Sequence, residues 1–197
     1  IMLSIGSVMT FGMNTILITY STTATAVFGV YFKLQSFVFM PIFGLNNGMI
    51  PIIAYNLGAK KKDRMFKTIN LAMIYAISIM IIGLIIFECF PQTLLGYFNA
   101  SSDMIKIGTP ALRIIALHFI LAGYSIVCSA VFQAVGKGTY SLLTSLIRQL
   151  FILLPSAYIL SLFGNINLIW LSFPIAEIVS VITSSILFSK IKRHLVF

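Results

Sequence analysis

Few residues in this chain are suited to covalent or metal chemistry. It has two histidines, His118 and His194, and only four acidic residues among 197. Zinc sites need three or four His, Cys or carboxylate ligands held close together. Neither histidine has a second histidine at helical spacing or a carboxylate beside it. No catalytic triad can be assembled either, so we predict no catalytic residue and no bound metal or cofactor.

Two charged side chains lie deep within apolar sequence, and they are the first candidates for a functional role. Counted at about 1.5 Å per helical residue, Arg148 lies roughly 12 Å from the inner end of its apolar stretch and Glu177 roughly 15 Å from the outer end of the next. In a hydrocarbon slab of about 30 Å these depths nearly coincide. An unpaired charge there costs a few kcal/mol or more. The two residues therefore predict either an ion pair that stabilises a helical hairpin or a site that handles substrate or protons.

The apolar segment 26–57 combines polar side chains with helix-breaking residues. In chain order it carries Gln35, Pro41, Gly44, Asn46, Asn47, Gly48 and Pro51. Proline removes a backbone hydrogen bond, so we expect this helix to kink or break. Carbonyls freed at membrane depth are tolerated only inside protein or along a wet cavity. One hypothesis is that the two glycines simply allow close helix packing. The other is that the kink and the amide side chains line a transport pathway.

The later apolar stretches add three weaker candidates. Gln133 is polar and lies near the inner end of its stretch, where it either contacts local backbone or faces a lumen. Pro155 and Pro174 lie inside the last two stretches, and we expect a kink at each.

These residues are carried by six long apolar stretches. The chain is 59% hydrophobic and 9% charged, with a mean hydropathy of +1.05. A soluble domain carries roughly a quarter charged residues. Since only helices or closed barrels satisfy their backbone in lipid, and the stretches lack the alternation of barrel strands, we predict transmembrane helices. The fold class is all-α, with one bundle (residues 1–197) of six spans, A to F, at about 1–20, 26–57, 67–90, 110–134, 140–163 and 167–190.

The basic residues predict how the helices are oriented. They concentrate in the loop after span B, in the loop after span D and in the C-terminal tail. Basic loops remain cytoplasmic, so we expect both termini of this segment inside the cell. The net charge of +9 then reflects topology and attraction to anionic lipid, and we predict no nucleic-acid partner. Because the first residue is Ile1 rather than methionine, we also expect sequence upstream.

Several motifs together resemble a known transporter family. They are Lys33-Leu34-Gln35, Met40-Pro41-Ile42-Phe43-Gly44-Leu45, Pro51-Ile52-Ile53-Ala54-Tyr55-Asn56-Leu57-Gly58-Ala59 with Arg64, Gln133-Ala134-Val135-Gly136-Lys137-Gly138, Arg148-Gln149, Pro155 and Pro174-Ile175-Ala176-Glu177. In this order they resemble the eighth to twelfth helices of multidrug and toxic compound extrusion (MATE) transporters. The resemblance covers essentially the whole chain and is nearest to the bacterial drug-efflux branch.

The resemblance implies a twelve-helix antiporter in a bacterial plasma membrane, of which this chain is the C-terminal six-helix bundle. Its substrates would be organic, often cationic, drugs and dyes, exported in exchange for Na⁺ or H⁺ by alternating access. Its partners would be the lipid bilayer and an N-terminal bundle of the same polypeptide. Some members carry acids in helices corresponding to spans A and D, and this chain has none there. We therefore expect the coupling-ion site in the missing bundle, with Glu177 the only well-placed intramembrane acid here.

Three other functions stay open at this point. A lipid-linked oligosaccharide flippase shares the architecture, although its lumen should be more cationic than one deep arginine allows. A six-helix scaffold without transport activity would lack an upstream partner bundle. An intramembrane enzyme is disfavoured because paired catalytic residues are absent from the sequence.

Overall fold

The computed structural model describes residues 2–196 and the side chains of residues 4–193, and every regular element within that range is helical. The elements in chain order are α1 (Met2–Ile18), α2 (Thr22–Gly58), α3 (Lys62–Cys89), α4 (Pro91–Gly96), α5 (Ser102–Ala116), α6 (Phe119–Ala134), α7 (Gly138–Leu146), a π-helical segment (Ile147–Leu153), α8 (Leu154–Ser161), α9 (Ile166–Trp170) and α10 (Ser172–Val196).

The predicted membrane architecture is confirmed at the level of fold class: the chain is an all-α, multi-pass membrane protein. Four helical runs are long and apolar enough to cross a bilayer: Thr22–Gly58, Lys62–Cys89, Gly138–Ser161 and Ile166–Arg193. The pair α5 and α6 makes a fifth crossing if it is counted as one bent span. The apolar run Ser4–Ile18 in α1 is shorter than a full crossing, so a sixth span remains a prediction.

The core lies where α2, α3, α6 and α10 pack together. Phe28 and Tyr31 of α2 contact Trp170 and Phe173 from the C-terminal hairpin, with ring centroids 5.7–6.3 Å apart. Such offset and edge-on aromatic pairs stabilise a packed interface beyond the area they bury. The cluster fixes the position of α2 relative to α10, and these two helices carry most of the site described below.

Helix α2 does not break at its prolines, so one of the two outcomes predicted for span B is excluded, and a kink at Pro41 or Pro51 stays a prediction. It runs without interruption from Thr22, capped by Ser21, whose hydroxyl accepts a 3.0 Å hydrogen bond from the Ala24 amide. Pro41 and Pro51 both lie inside it. A proline removes one backbone donor, but the bonds on either side here are enough to keep the helix continuous.

The hypothesis that Gly44 and Gly48 allow close packing is wrong for contacts within the described chain. A Cβ built on either glycine would meet no heavy atom within 4 Å. The close approaches are elsewhere: a Cβ on Gly83 would lie 2.4 Å from Val38 Cγ1, and one on Gly12 would lie 2.7 Å from Leu154 Cδ2. Glycine therefore permits packing between α2 and α3 and between α1 and α8.

Span D also differs from its prediction, because its helix begins at Ser102 and bends by 50° between α5 and α6. The first two turns of α5 contain Asp103 and Lys106, which lowered the hydropathy of that stretch. They are nevertheless helical, because Ser101 caps the N-terminus and the apolar face, including Ala111 and Leu112, is buried.

The two remaining prolines lie in different local settings. Pro155 is the second residue of α8, directly after the π-helical segment, so the helix is locally irregular just before it. Pro174 lies in the first turn of α10, where a missing N–H has no intrahelical partner to lose. The discontinuity in span F falls earlier, at Leu171 between α9 and α10, and a kink at either proline stays a prediction.

Candidate functional site

A half-open cavity of about 990 Å³ is lined by α1, α2, α6, α7, the π-helical segment and α10, with His118 from the bend between α5 and α6. Each helix contributes a stripe of side chains at helical spacing. On α2 the stripe includes Tyr31, Gln35, Phe39 and Asn46, and on α6 it includes Ser125, Ser129 and Gln133. Residues three, four or seven apart share a helix face, so apolar helices can still present polar groups inward.

All six residues predicted to line a pathway do line this cavity: Gln35, Asn46, Asn47, Gln133, Arg148 and Glu177. None of the four predicted kink prolines does so, and Pro41, Pro51 and Pro155 are exposed on the outside of the bundle. The amide part of the pathway hypothesis thus agrees with the geometry, while the prolines lie away from it.

Arg148 and Glu177 form the ion pair that their depths predicted. The Arg148 Nη1 atom donates a 3.2 Å hydrogen bond to Glu177 Oε2. Arg148 lies in the π-helical segment and Glu177 in α10, which pack side by side. The Glu177 side chain is only 4% exposed, whereas that of Arg148 is 26% exposed. Among the described residues they are the only charged side chains that line the cavity, so this wall is neutral overall.

Several polar atoms on the cavity wall have no hydrogen-bond partner among the described residues. They are the Tyr31 hydroxyl, Asn46 Oδ1, Ser125 Oγ and Glu177 Oε1, all of them buried. A buried polar atom without a partner costs about 1–3 kcal/mol. All four belong to residues that line the cavity, so polar groups stand directly behind its wall, although these atoms are closed off from solvent in this conformation.

Gln133 makes local contacts, as one of its two interpretations predicted. Its Nε2 atom is 3.4 Å from the Ser129 carbonyl and 3.3 Å from Ser141 Oγ, and the two serine hydroxyls bond to each other. The side chain is nevertheless exposed to the cavity. It ties α6 to α7 and presents an amide to the cavity.

Sequence reasoning missed several lining residues, among them Asn14, Gln149, Tyr31 and His118. Asn14 satisfies the same test that selected Asn46, a polar side chain in an apolar span, and that test applied to span A finds it. Tyr31 carried no signal of its own, because tyrosine is common in membrane helices. His118 was considered only as a metal ligand. Among residues 4–193 no group of three or more His, Cys, Asp or Glu side chains is placed to hold a metal ion.

Comparison with known proteins places this bundle in a family. A family model described as MatE matches residues 1–159. The chain belongs to the MatE family. The matched segment includes the cavity residues of α2 and Arg148, while Glu177 lies beyond it.

Curated MatE relatives include proteins named Multidrug export protein MepA. The protein of that name from Staphylococcus haemolyticus is 29% identical over 168 residues, covering 85% of this chain and 36% of its own length. A Staphylococcus aureus protein of the same name is 30% identical over 172 residues, covering 84% of this chain and 36% of its own length. The chain thus spans about a third of the length of the curated relatives it matches.

Solved structures share the same MatE fold. A MOP superfamily transporter from Pyrococcus furiosus aligns with a TM-score of 0.90 and 21% identity, over 97% of this chain and 44% of that one. An outward-facing multidrug resistance MATE family transporter aligns with a TM-score of 0.89 and 22% identity, over 98% and 44%. At this identity the likeness establishes the fold, and it places this bundle alongside a little under half of each transporter.

Proposed function

We propose that this chain is the C-terminal bundle of a bacterial multidrug efflux transporter. The observation that carries the proposal is the cavity of about 990 Å³, which combines aromatic rings and amides inside a membrane bundle. Pockets for drug-sized molecules are typically 300–1,000 Å³, mostly apolar, with a few polar groups. This cavity has that size and composition, and the relatives named as multidrug export proteins support the same assignment.

The proposed transporter has twelve helices in two bundles, with the second bundle supplied by the rest of the polypeptide. Six crossings with both termini of this segment cytoplasmic would leave the basic loop 60–64 inside a bacterial plasma membrane. Export proceeds by alternating access around the shared lumen. Na⁺ or H⁺ drives it, and organic compounds, many of them cationic, are its cargo.

Efflux is preferred over the flippase alternative because of the charge on the lumen wall. A carrier of lipid-linked pyrophosphate needs several free cationic side chains, whereas the single lining arginine here is paired with Glu177. The relatives named as multidrug export proteins support the same choice.

The test is dye efflux from cells that express the intact gene. Ethidium should leave these cells faster than vector controls, and collapsing either the Na⁺ or the H⁺ gradient should identify the coupling ion. Cells carrying the surface variant Arg113→Gln should lose the dye as fast as cells with the unmodified gene, because Arg113 does not line the cavity. Retention of the dye in every condition, despite normal expression in the membrane, would refute the proposal.

A further inference from the structure

Span E brings two residues to one wall of the cavity that a regular α-helix would point apart. Arg148 and Leu153 both line the cavity, and they are five residues apart. Residues three or four apart share a helix face, but at about 100° per residue a spacing of five turns them roughly 140° from each other. The π-helical segment, Ile147–Leu153, adds one residue to the turn and so reduces that angle to about 40°. Both side chains reach the cavity because of this wide turn.

Neighbouring helices hold the chain on both sides of the wide turn. Before and within it, the Ser141 hydroxyl is bonded to a serine hydroxyl of α6, and Arg148 Nη1 lies 3.2 Å from Glu177 Oε2. After it, Leu154 packs so closely on α1 that a Cβ built on Gly12 would lie 2.7 Å from Leu154 Cδ2. These contacts fix a rotation for α7 and another for α8, and a regular helix of this length cannot satisfy both.

Pro155 explains why the wide turn occurs at this point of the span. Proline has no N–H to donate to the carbonyl four residues earlier, here that of Phe151, and in a regular helix its ring would press against that carbonyl. Because the π-helical segment ends at Leu153, Pro155 instead falls in the first turn of α8, where no N–H is needed. Pro41 and Pro51 lie in a continuous α-helix, so a proline produces the wide turn only where the flanking contacts also require it.

We infer that Pro155 is a positioning residue for the lumen of the proposed transporter. Its side chain is exposed on the outside of the bundle and does not line the cavity, so it acts through the π-helical segment. Without the proline, the segment becomes a regular helix, and α7 turns by about 100° relative to α8. That rotation takes Arg148 away from the lumen and brings Leu146 towards it. The inference rests on the proposed function only in treating the cavity as a transport lumen.

The test is thiol labelling of the purified full-length transporter with Pro155→Ala. Alanine restores the N–H and removes the ring, so a regular helix becomes favourable. Single cysteines replace Ser145, which lines the cavity, or Leu146, which does not, in a background without other cysteines. A methanethiosulfonate reagent reacts with the hydrated thiolate and not with a thiol in apolar surroundings. The rate at position 146 divided by the rate at position 145 should rise several-fold in Pro155→Ala.

A second pair of cysteines detects rotation of α8 in place of α7. Leu153 lines the cavity and Ile152 does not, so the rate at position 152 divided by the rate at position 153 should rise if α8 is the half that turns. A several-fold rise at either pair supports the inference. Unchanged ratios at both pairs would overturn it, because the wide turn would then persist without the proline.

The matched control is Pro41→Ala, at a proline that is also exposed and away from the cavity but lies inside the continuous helix α2. Single cysteines replace Gln35, which lines the cavity, or Ser36, which does not. The ratio of their labelling rates should stay at the wild-type value. A change as large as that at Pro155 would show that removal of any proline alters labelling, and would overturn the inference.

Deletion of Phe151 separates positioning from stability. The deletion removes the extra residue, so Arg148 and Leu153 become four apart and share a face of a regular helix. Phe151 is 67% exposed and does not line the cavity. Pro155→Ala with this deletion should recover the wild-type ratios, and should fold even if Pro155→Ala alone does not. Failure to fold, or ratios that stay altered, would overturn the inference. Labelling does not require transport, so a wild-type protein that fails to export ethidium refutes the proposed function alone.

Discussion

Replacing Gly83 by alanine places a methyl group where α2 and α3 leave no room for it. The new Cβ would lie 2.4 Å from Val38 Cγ1, 3.3 Å from Val38 Cγ2 and 3.4 Å from Phe119 Cδ2. Valine in a helix has one strongly preferred χ1 rotamer, so Val38 cannot turn away cheaply. The Phe119 ring closes the other side. The methyl group is therefore accommodated only if the two helices move apart.

The size of the effect follows from measured overpacking. Adding a methyl group to a close-packed core costs about 1–3 kcal/mol. Alanine is also the better helix former by roughly 0.5–1 kcal/mol, which masks part of that cost. Gly44→Ala removes this ambiguity, because it gains the same helix propensity at a position where no described atom lies within 4 Å of the new Cβ. The difference between the two variants should thus be the packing cost, about 1–3 kcal/mol.

The assay is thermal unfolding of the full-length transporter in detergent. A transporter of the length of these relatives, about 470 residues, has an unfolding entropy of roughly 1 kcal/mol/K, so 1 kcal/mol shifts Tm by about 1 °C. Gly83→Ala should therefore melt roughly 1–3 °C below Gly44→Ala. A second substitution, Val38→Ala, removes both valine methyl groups and makes room for the new one. The double variant should lose less stability than the two single losses added together.

Two results would refute this reasoning. Equal melting temperatures for Gly83→Ala and Gly44→Ala would show that the α2–α3 approach is looser than the structure has it. Additive losses in the double variant with Val38→Ala would show that the destabilisation has another origin than this contact.

Three further predictions concern the ion pair, the cysteines and the orientation. Arg148→Gln should reduce the folded yield in membranes more than Glu177→Gln does, because it leaves the 4% exposed carboxylate of Glu177 unpaired. The double variant should recover part of that loss, and strictly additive losses would contradict this reasoning. A membrane-impermeant maleimide should label the exposed Cys89 and leave the buried Cys128 unmodified until the protein is denatured. Mass spectrometry identifies the labelled cysteine, and Cys89→Ser is the control. A Lys61→Cys/Cys89→Ser variant should react with the same reagent only in inverted vesicles, and labelling at position 61 in intact cells would reverse the proposed orientation.

Most helices were predictable because hydropathy alone selects them. The runs corresponding to α2 and α3 are so apolar that their existence needs no tertiary information. The start of α5 was missed for the opposite reason. Its polar first turns are helical because Ser101 caps the N-terminus and one face of the helix is buried against neighbouring helices. Both effects depend on specific contacts, which an average hydropathy over a window does not detect.

The prolines show a different limit of sequence reasoning. Their effect was predicted from the lost backbone donor alone, which favours a break. Whether α2 breaks depends on how many other backbone hydrogen bonds hold the helix together. Enough of them flank Pro41 and Pro51 to keep the helix continuous. At Pro155 the chain instead adopts a π-helical turn just upstream. The same residue type thus produces different local structures, and only the surrounding packing decides between them.

The sequence predicted how deep in the membrane the charged site residues lie, but not which way they point around their helix axes. Their positions along the two spans placed Arg148 and Glu177 at similar depths in the membrane. Two opposite charges at the same depth normally pair, because an unpaired charge in lipid is costly. Which partner faces the lumen depends on rotation about the helix axis. Arg148 belongs to a π-helical segment, in which each i→i+5 hydrogen bond adds a residue to the turn. That extra residue changes the rotational register set by a period of 3.6, so no helical wheel drawn from the sequence orients the guanidinium. The greater exposure of Arg148 relative to Glu177 is therefore a property of the fold.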